Sequence, residues 1–148
     1  MKAKYLFLDF DGVLHSKYSS PVNHFSKLKF FEETIRRCPS IKIVISSSWR
    51  HHHNMDELLA FFAVDIQRWI IDSTRHVDVS KATNRYTEIV DYLEHTNQTH
   101  ISWIAIDDAK IEFPENLKNL VLCGPDQGFN DESANTLKAI LQQIIPCP

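Results

Sequence analysis

Cysteine is scarce, basic clusters are missing, and no apolar run approaches membrane-spanning length; each shortage narrows the reading. The three cysteines, Cys38, Cys123 and Cys147, are odd in number and scattered, with no pair at metal-ligand spacing. Neither a disulfide framework nor a cysteine-based zinc site is indicated, and a reducing, cytoplasmic location is the default expectation. The net charge is −3 with histidine neutral and no segment is strongly basic, so bulk charge would not draw a long nucleic-acid duplex to the chain. A local Arg/His patch would still suffice to hold one phosphate. A transmembrane helix needs about 20 consecutive apolar residues, so no membrane partner is expected. Met1-Lys2-Ala3-Lys4 leading into apolar residues has the outline of a signal peptide, but Asp9 and Asp11 break the run too early. Linkers, repeats and low-complexity stretches are absent as well. The 148 residues read as one domain, residues 1–148, long enough to bury a core without disulfide or metal support.

What is present is organised around Tyr5 to Val13. Four apolar residues, Tyr5-Leu6-Phe7-Leu8, run straight into Asp9-Phe10-Asp11-Gly12. An unalternating apolar run suits a central parallel strand covered on both faces, and the C-terminal ends of such strands are where open α/β sheets bind ligands. Taken alone, Asp-Phe-Asp-Gly is also an ordinary acidic turn; the rest of the chain decides.

A loop follows from His15 to Asn23. Phe25, Leu28, Phe31 and Ile35 stand at helical spacing and predict a helix from about Phe25 to Arg37, ended by Pro39. Ile41-Lys42-Ile43-Val44-Ile45 is β-branched except for one lysine, snorkelling from the strand's start, and predicts a strand that stops at Ser46-Ser47-Ser48-Trp49-Arg50. Met55, Leu58, Leu59 and Phe62 mark a second helix. Val64 to Thr83 has no clear period: Trp69-Ile70-Ile71 reads as a short strand and Asp72 to Thr83 as a polar loop. Tyr86, Ile89, Val90 and Leu93 give a third helix, and Ile101 to Ile106 a strand ending in Asp107-Asp108. Asn119 to Cys123 is the last strand, and Leu137, Ile140, Leu141 and Ile144 mark a final helix with Asn130 or Asp131 placed to cap it. This alternation implies an α/β, doubly wound (Rossmann-like) sheet of about five parallel strands with right-handed crossovers and helices on both faces.

Three strand ends carry polar groups: Asp9 and Asp11, Ser46 to Ser48, and Asp107 with Asp108. In a doubly wound sheet these ends lie along one edge. Four carboxylates from neighbouring strands would repel unless protons or a cation intervened. Hard oxygen donors, with no cysteine or suitably spaced histidine pair, suit Mg²⁺ better than zinc. Carboxylates, a hydroxyl and a basic side chain around magnesium are equipment for phosphoryl transfer. Asp9 is the candidate nucleophile, forming an aspartyl phosphate, and Asp11 the candidate general acid and base. A seryl hydroxyl and a Lys or Arg would hold the non-bridging oxygens.

At these residues the sequence resembles the haloacid dehalogenase (HAD) superfamily. Leu6 to Val13 is similar to its first motif, a strand running into DxDG, and the second Asp points to the phosphatase branch. Ile43-Val44-Ile45-Ser46-Ser47 is similar to the second motif and Ile104-Ala105-Ile106-Asp107-Asp108 to the fourth, in its DD form. Arg85, ahead of Glu88-Ile89, fits the basic third motif, with Lys81 slightly early as the alternative. More narrowly, Ser-Ser-Trp-Arg, Arg-x-x-Glu-Ile and Asp-Asp together resemble the small HAD-type domains of Swiss Army Knife RNA repair proteins, over essentially the whole chain. The resemblance implies a metal held among Asp9, Asp11, Asp107 and Asp108, with Asp108 the more direct ligand of the last pair. It implies Ser47 as the motif-two hydroxyl, with Ser46 the alternative. HAD enzymes usually select substrates with a cap after motif one or between motifs two and three. Here fewer than forty residues separate Asp11 from Ser47, and the second gap is filled by a helix and a short strand, so no substantial cap is expected. An open site suits a phosphate on a macromolecule, or a partner protein that supplies a lid.

The expectation is therefore a Mg²⁺-dependent phosphohydrolase acting through an aspartyl phosphate on a phosphorylated substrate, with an RNA or DNA end favoured by the narrower resemblance. Alternatives are a small-metabolite phosphatase or phosphotransferase, and a non-catalytic metal-binding regulatory or interaction module. Oligomeric state is not legible. Arg50, beside motif two, is a candidate bidentate phosphate ligand, and Trp49 divides between packing and the site. His51-His52-His53 read as solvated helix-start residues, because consecutive helical residues do not share a face. Phe10 reads as core or a wall of the site, Cys123 as a small buried hydrophobe, and Gly128-Phe129 as a plain turn.

Overall fold

The computed structural model describes residues 4–38, 40–75 and 83–144; Lys81 and Cys147 lie outside them. Strands β1 (Lys4–Leu8), β2 (Ile41–Ile45), β3 (Ile70–Ser73), β4 (Trp103–Asp107) and β5 (Leu120–Leu122) form one sheet in the order β3-β2-β1-β4-β5. Every neighbouring pair is parallel. The unalternating apolar run of β1 has its cause here: Leu6 and Leu8 enter one buried cluster, Tyr5 and Phe7 another. Covering both faces removes any reason for a polar residue, and each fully buried side chain of this size stabilises the fold by ~1.5–3 kcal/mol.

The chain begins at the centre of the sheet. It steps outward through α1 (Leu28–Ile35) to β2, then through α2 (Met55–Ala60) and α3 (Val64–Gln67) to β3. Leu28, Phe31, Ile35, Leu58 and Ile66 of these helices pack with Leu6 and Leu8. The chain then returns past β1 to β4 through α4 (Arg85–His95), whose Ile89, Tyr92 and Leu93 pack with Tyr5 and Phe7. Crossovers of one hand change faces when their direction reverses. After β5, α5 (Asp131–Ile144) comes back to the first face with Leu137 and Leu141. The reversal falls between β1 and β4, which is the ligand-binding crevice of doubly wound sheets.

Several boundaries differ from the sequence pattern. Helix α1 starts at Leu28 rather than near Phe25, because Phe25 is left-handed (φ 65°) and gives its amide N–H to His15 Nδ1 at 3.2 Å. Strand β3 includes Asp72 and Ser73, read as polar loop; Asp72 Oδ2 accepts the Tyr92 hydroxyl at 3.1 Å, so its charge has a partner at the sheet edge. Asn130, not Asp131, caps α5: its Oδ1 accepts Ser133 N–H at 3.0 Å, and its own N–H donates to Ser133 Oγ at 3.3 Å. Among the described residues the β1–β2 connection is spent on a 3-10 turn at Pro21–Asn23 and α1, and the β2–β3 connection on a 3-10 turn at Ser48–His51, α2 and α3. Neither carries a folded cap. No helix of the described residues is long and apolar enough to cross a membrane.

Candidate active site

Parallel register assembles the site. Leu8 pairs with Ile45 on one side and Ile106 on the other, and the ladder continues one step, with Asp9 N–H donating to Ile106 O at 3.1 Å and Ser46 N–H to Leu8 O at 3.0 Å. Asp9 therefore stands between Ser46 and Asp107 at the C-terminal edge of the sheet. One carboxylate oxygen from each of Asp9, Asp107 and Asp108 lies within 4.8 Å of the other two. Asp107 is oriented by its own turn: Oδ1 accepts the N–H groups of Asp108 (2.8 Å) and Ala109 (3.0 Å), while the buried Oδ2 has no hydrogen-bond partner. Three carboxylates, one with an orphaned buried oxygen, fit a hard divalent cation.

Arg85 faces this cluster. The Asn84–Thr87 capping box fixes it as the first residue of α4, and its backbone N–H donates to Glu112 Oε1 at 3.1 Å. Its side chain is 12% exposed and places Nη2 3.8 Å from Asp9 Oδ1 and Nε 3.4 Å from Asp107 Oδ2. These are charge contacts without hydrogen-bond geometry: Nε and Nη1 are buried and unpartnered. Burial pushes the Asp9 carboxyl well above the ordinary carboxylate range; the Asp107 charge adds to the shift and Arg85 opposes it. Burial raises Asp107 likewise, again against Arg85. Burial also works against a charged Arg85, but Asp9 and Asp107 outweigh it and hold the guanidinium above its usual value.

The remaining residues singled out in the sequence divide. Asp11 stands outside the three-carboxylate group; its Oδ1 accepts His15 Nε2 at 2.7 Å and Trp49 Nε1 at 3.1 Å. Ser46 Oγ is buried without a partner, whereas Ser47 Oγ accepts Trp49 N–H at 3.2 Å and caps the 3-10 turn. Arg50 is 6% exposed and paired with Glu88, itself 16% exposed. Its Nη1 also donates to the carbonyls of Ser46 (3.0 Å) and Ser47 (2.8 Å). Burial lowers its pKa against the pull of Glu88. The guanidinium therefore ties the end of β2 to α4, three residues from Arg85.

His15 and Glu88, to which the sequence pattern assigns no role, hold Asp11 and Arg50 respectively; the Asp-x-x-x-His spacing after Asp11 and the Glu of Arg-x-x-Glu-Ile are their marks in the sequence. The histidine run leads into α2 instead of opening it: Asn54 is the N-cap, and His53 stacks on Trp49 at 5.2 Å and 16°. Phe10 is fully buried among Phe25, Trp49 and Phe62. Cys123 is buried, and burial pushes its thiol up to about 12, which leaves no thiolate at neutral pH. Phe129 is core rather than turn surface, and its N–H donates to Val13 O at 2.7 Å, so the loop after β5 braces the segment behind Gly12.

A parallel sheet in this order, with an aspartate at the end of its central strand and two more across the switch point, defines a HAD-like domain. The chain belongs to the family of HAD domains in Swiss Army Knife RNA repair proteins, whose model matches residues 5–134. No curated protein and no solved structure matches it.

Proposed function

We propose that the chain is a Mg²⁺-dependent phosphohydrolase working through an aspartyl phosphate on Asp9. The observation that carries this reading is the placement of Asp9 between the carboxylates of Asp107 and Asp108 and the Arg85 guanidinium, whose Nε and Nη1 are buried without hydrogen-bond partners, as is Ser46 Oγ at the adjoining strand end. Unpaired buried donors are expensive, and the non-bridging oxygens of a phosphoryl group would satisfy them. Asp9, Asp107 and Asp108 would hold the cation. Bound there, Mg²⁺ supplies charge neutralisation for the carboxylates and the transferring phosphoryl group, and a cation at these oxygens favours the ionised Asp9 that a nucleophile must be.

An Asp9 oxygen attacks phosphorus. The bond to the leaving oxygen breaks, its electron pair departs with that oxygen, and Asp11 supplies the proton. In the second half Asp11 takes a proton from water as the water oxygen attacks phosphorus, the Asp9 carboxylate leaves, and inorganic phosphate is released. Of the two serines, Ser46 is the better placed to hold a phosphoryl oxygen, because its hydroxyl is buried with no hydrogen-bond partner, whereas the Ser47 hydroxyl is already held at the turn by the Trp49 amide. Arg85 takes the basic role.

The absence of a cap among the described residues, and an Asp11 side chain 43% exposed, support a substrate too large to enclose. A terminal phosphate of RNA or DNA suits both this openness and the family, with a protein partner to complete a lid. The test is phosphate release from p-nitrophenyl phosphate with and without Mg²⁺, followed by a panel of 3′- and 5′-phosphorylated oligonucleotides and small phosphate esters. Asp9→Asn and Asp9→Ala should remain folded and release no phosphate. Turnover surviving in either overturns the mechanism, and transfer to an added alcohol in place of water marks a phosphotransferase.

A further inference from the structure

We propose that His15 is a positioning residue for the proton-transferring carboxylate: a neutral imidazole held in one tautomer, it joins the Trp49 indole in pinning Asp11 through Oδ1 and so reserves Oδ2 for the leaving group and water. The inference rests on the reading of Asp11 as general acid and base. His15 is 1% exposed and lies against Asp11. The backbone N–H of Phe25 can only donate, so Nδ1, 3.2 Å away, must be the lone-pair nitrogen. The ring proton is then on Nε2, which donates to Asp11 Oδ1 at 2.7 Å. Trp49 Nε1, a donor only, reaches the same oxygen at 3.1 Å. Among the described residues nothing donates to Oδ2.

The surroundings allow the imidazole little freedom. His24 stacks on its face, with ring centroids 4.6 Å apart at 25°, and Phe25 meets it edge-on at 5.5 Å and 85°. Phe25 itself is left-handed at φ 65°, a conformation that a bulky aromatic residue adopts only under constraint. That backbone turn directs the amide to Nδ1, so strain in the loop is coupled to the tautomer of His15 and through it to Asp11. Packing alone would require neither the left-handed residue nor two donors on one carboxylate oxygen.

The test separates positioning from structure by leaving-group chemistry. p-Nitrophenolate departs without a proton, whereas an alkoxide does not, so kcat/KM with Mg²⁺ is compared for p-nitrophenyl phosphate and a simple alkyl phosphate. Asp11→Asn should lose far more on the alkyl ester. His15→Ala should follow it, falling ~10- to 100-fold on the alkyl ester, a fraction of the ~10²–10⁴-fold that acid–base catalysis contributes, and much less on the nitrophenyl ester. His15→Gln, whose amide still offers an N–H toward Asp11, should recover most of the loss. Trp49→Phe keeps a ring in the stack, removes the other donor, and should show the same selectivity if His15→Ala fails to fold. Equal losses on both esters, or none, beside a selective Asp11→Asn overturn the assignment of His15. An unselective Asp11→Asn overturns the acid–base reading itself. Independently of turnover, ¹⁵N NMR of the imidazoles should find the His15 proton on Nε2; a proton on Nδ1 overturns the proposal.

Discussion

The carboxyl group of Asp108 rests directly on Gly12: a β-carbon at residue 12 would lie 2.2 Å from Asp108 Oδ2 and 2.4 Å from its Cγ. The glycine that follows the first pair of aspartates is thus the seat of the fourth carboxylate, and its φ of 75° adds a conformation that L side chains avoid. Gly12→Ala should cost ~1–3 kcal/mol of stability from backbone strain and displace Asp108 from the cluster. Urea unfolding and Mg²⁺ titration read the two effects separately. A variant with native Mg²⁺ affinity would mean that Asp108 does not need this seat.

Asp9 and Asp107 are both displaced upward, with burial the main cause, so the native state keeps protons that the unfolded chain releases. Stability from these groups is fully present below the ordinary carboxylate range and is lost as pH rises through the native values. The EDTA-treated protein should therefore lose melting temperature as pH climbs out of that range toward neutrality. Mg²⁺ at one hundred times its dissociation constant should restore about 2.7 kcal/mol. Asp65 and Asp91, held down by hydrogen bonds from Arg36 and Arg75, act in the opposite sense. Comparison with Asp107→Asn isolates the site: its metal-free melting temperature should exceed that of the wild type at neutral pH and its response to Mg²⁺ should shrink. Identical pH and Mg²⁺ responses in the two proteins would remove the cluster as a cation site.

What could be read from the sequence follows the range over which each feature is determined. The run Tyr5 to Leu8 announces a doubly covered strand because burial on two faces leaves a mark in consecutive residues. The same holds for Ile43 to Ile45 and Ile104 to Ile106, and once three such strands are parallel and adjacent, the convergence of Asp9, Ser46 and Asp107 follows from topology. Arg50 shows the limit. Beside a serine-ended strand it reads as a phosphate ligand, yet its partner, Glu88, is 38 positions away in the helix that leads back to β4, and nothing local distinguishes a guanidinium destined for a carboxylate from one destined for substrate. Phe25 misleads for a related reason: its apolar character fits the helical period, but the demand of His15 Nδ1 for a donor overrides it.

The Arg50–Glu88 pair is accordingly expected to behave as structure. A phosphate ligand, when removed, raises KM with little change in stability. Removing one partner of a buried ion pair leaves the other charge uncompensated and costs ~3–5 kcal/mol. Arg50→Ala and Glu88→Ala should each destabilise by amounts of this order, and the double variant by much less than their sum. Thermal unfolding of the four proteins closes the cycle; additive losses, or a KM effect with native stability, would return Arg50 to the substrate.

Ser46 and Ser47 separate on the same logic, because their hydroxyls are engaged differently. The Ser47 oxygen accepts the Trp49 amide, so Ser47→Ala removes a cap and should cost ~0.5–2 kcal/mol with a modest effect on turnover. The Ser46 hydroxyl is buried without a partner. Deleting it takes away an unsatisfied polar group, so Ser46→Ala should leave stability unchanged or slightly improved while lowering kcat/KM ~10-fold or more, the loss of one hydrogen bond to a charged oxygen at ~1.5–3 kcal/mol. Chemical denaturation and kcat/KM on one phosphate ester, measured for both variants, decide the pair. The opposite assignment, with the activity loss in Ser47→Ala and the stability loss in Ser46→Ala, would place the phosphoryl oxygen one residue further along the chain, at the N-cap of the 3-10 turn.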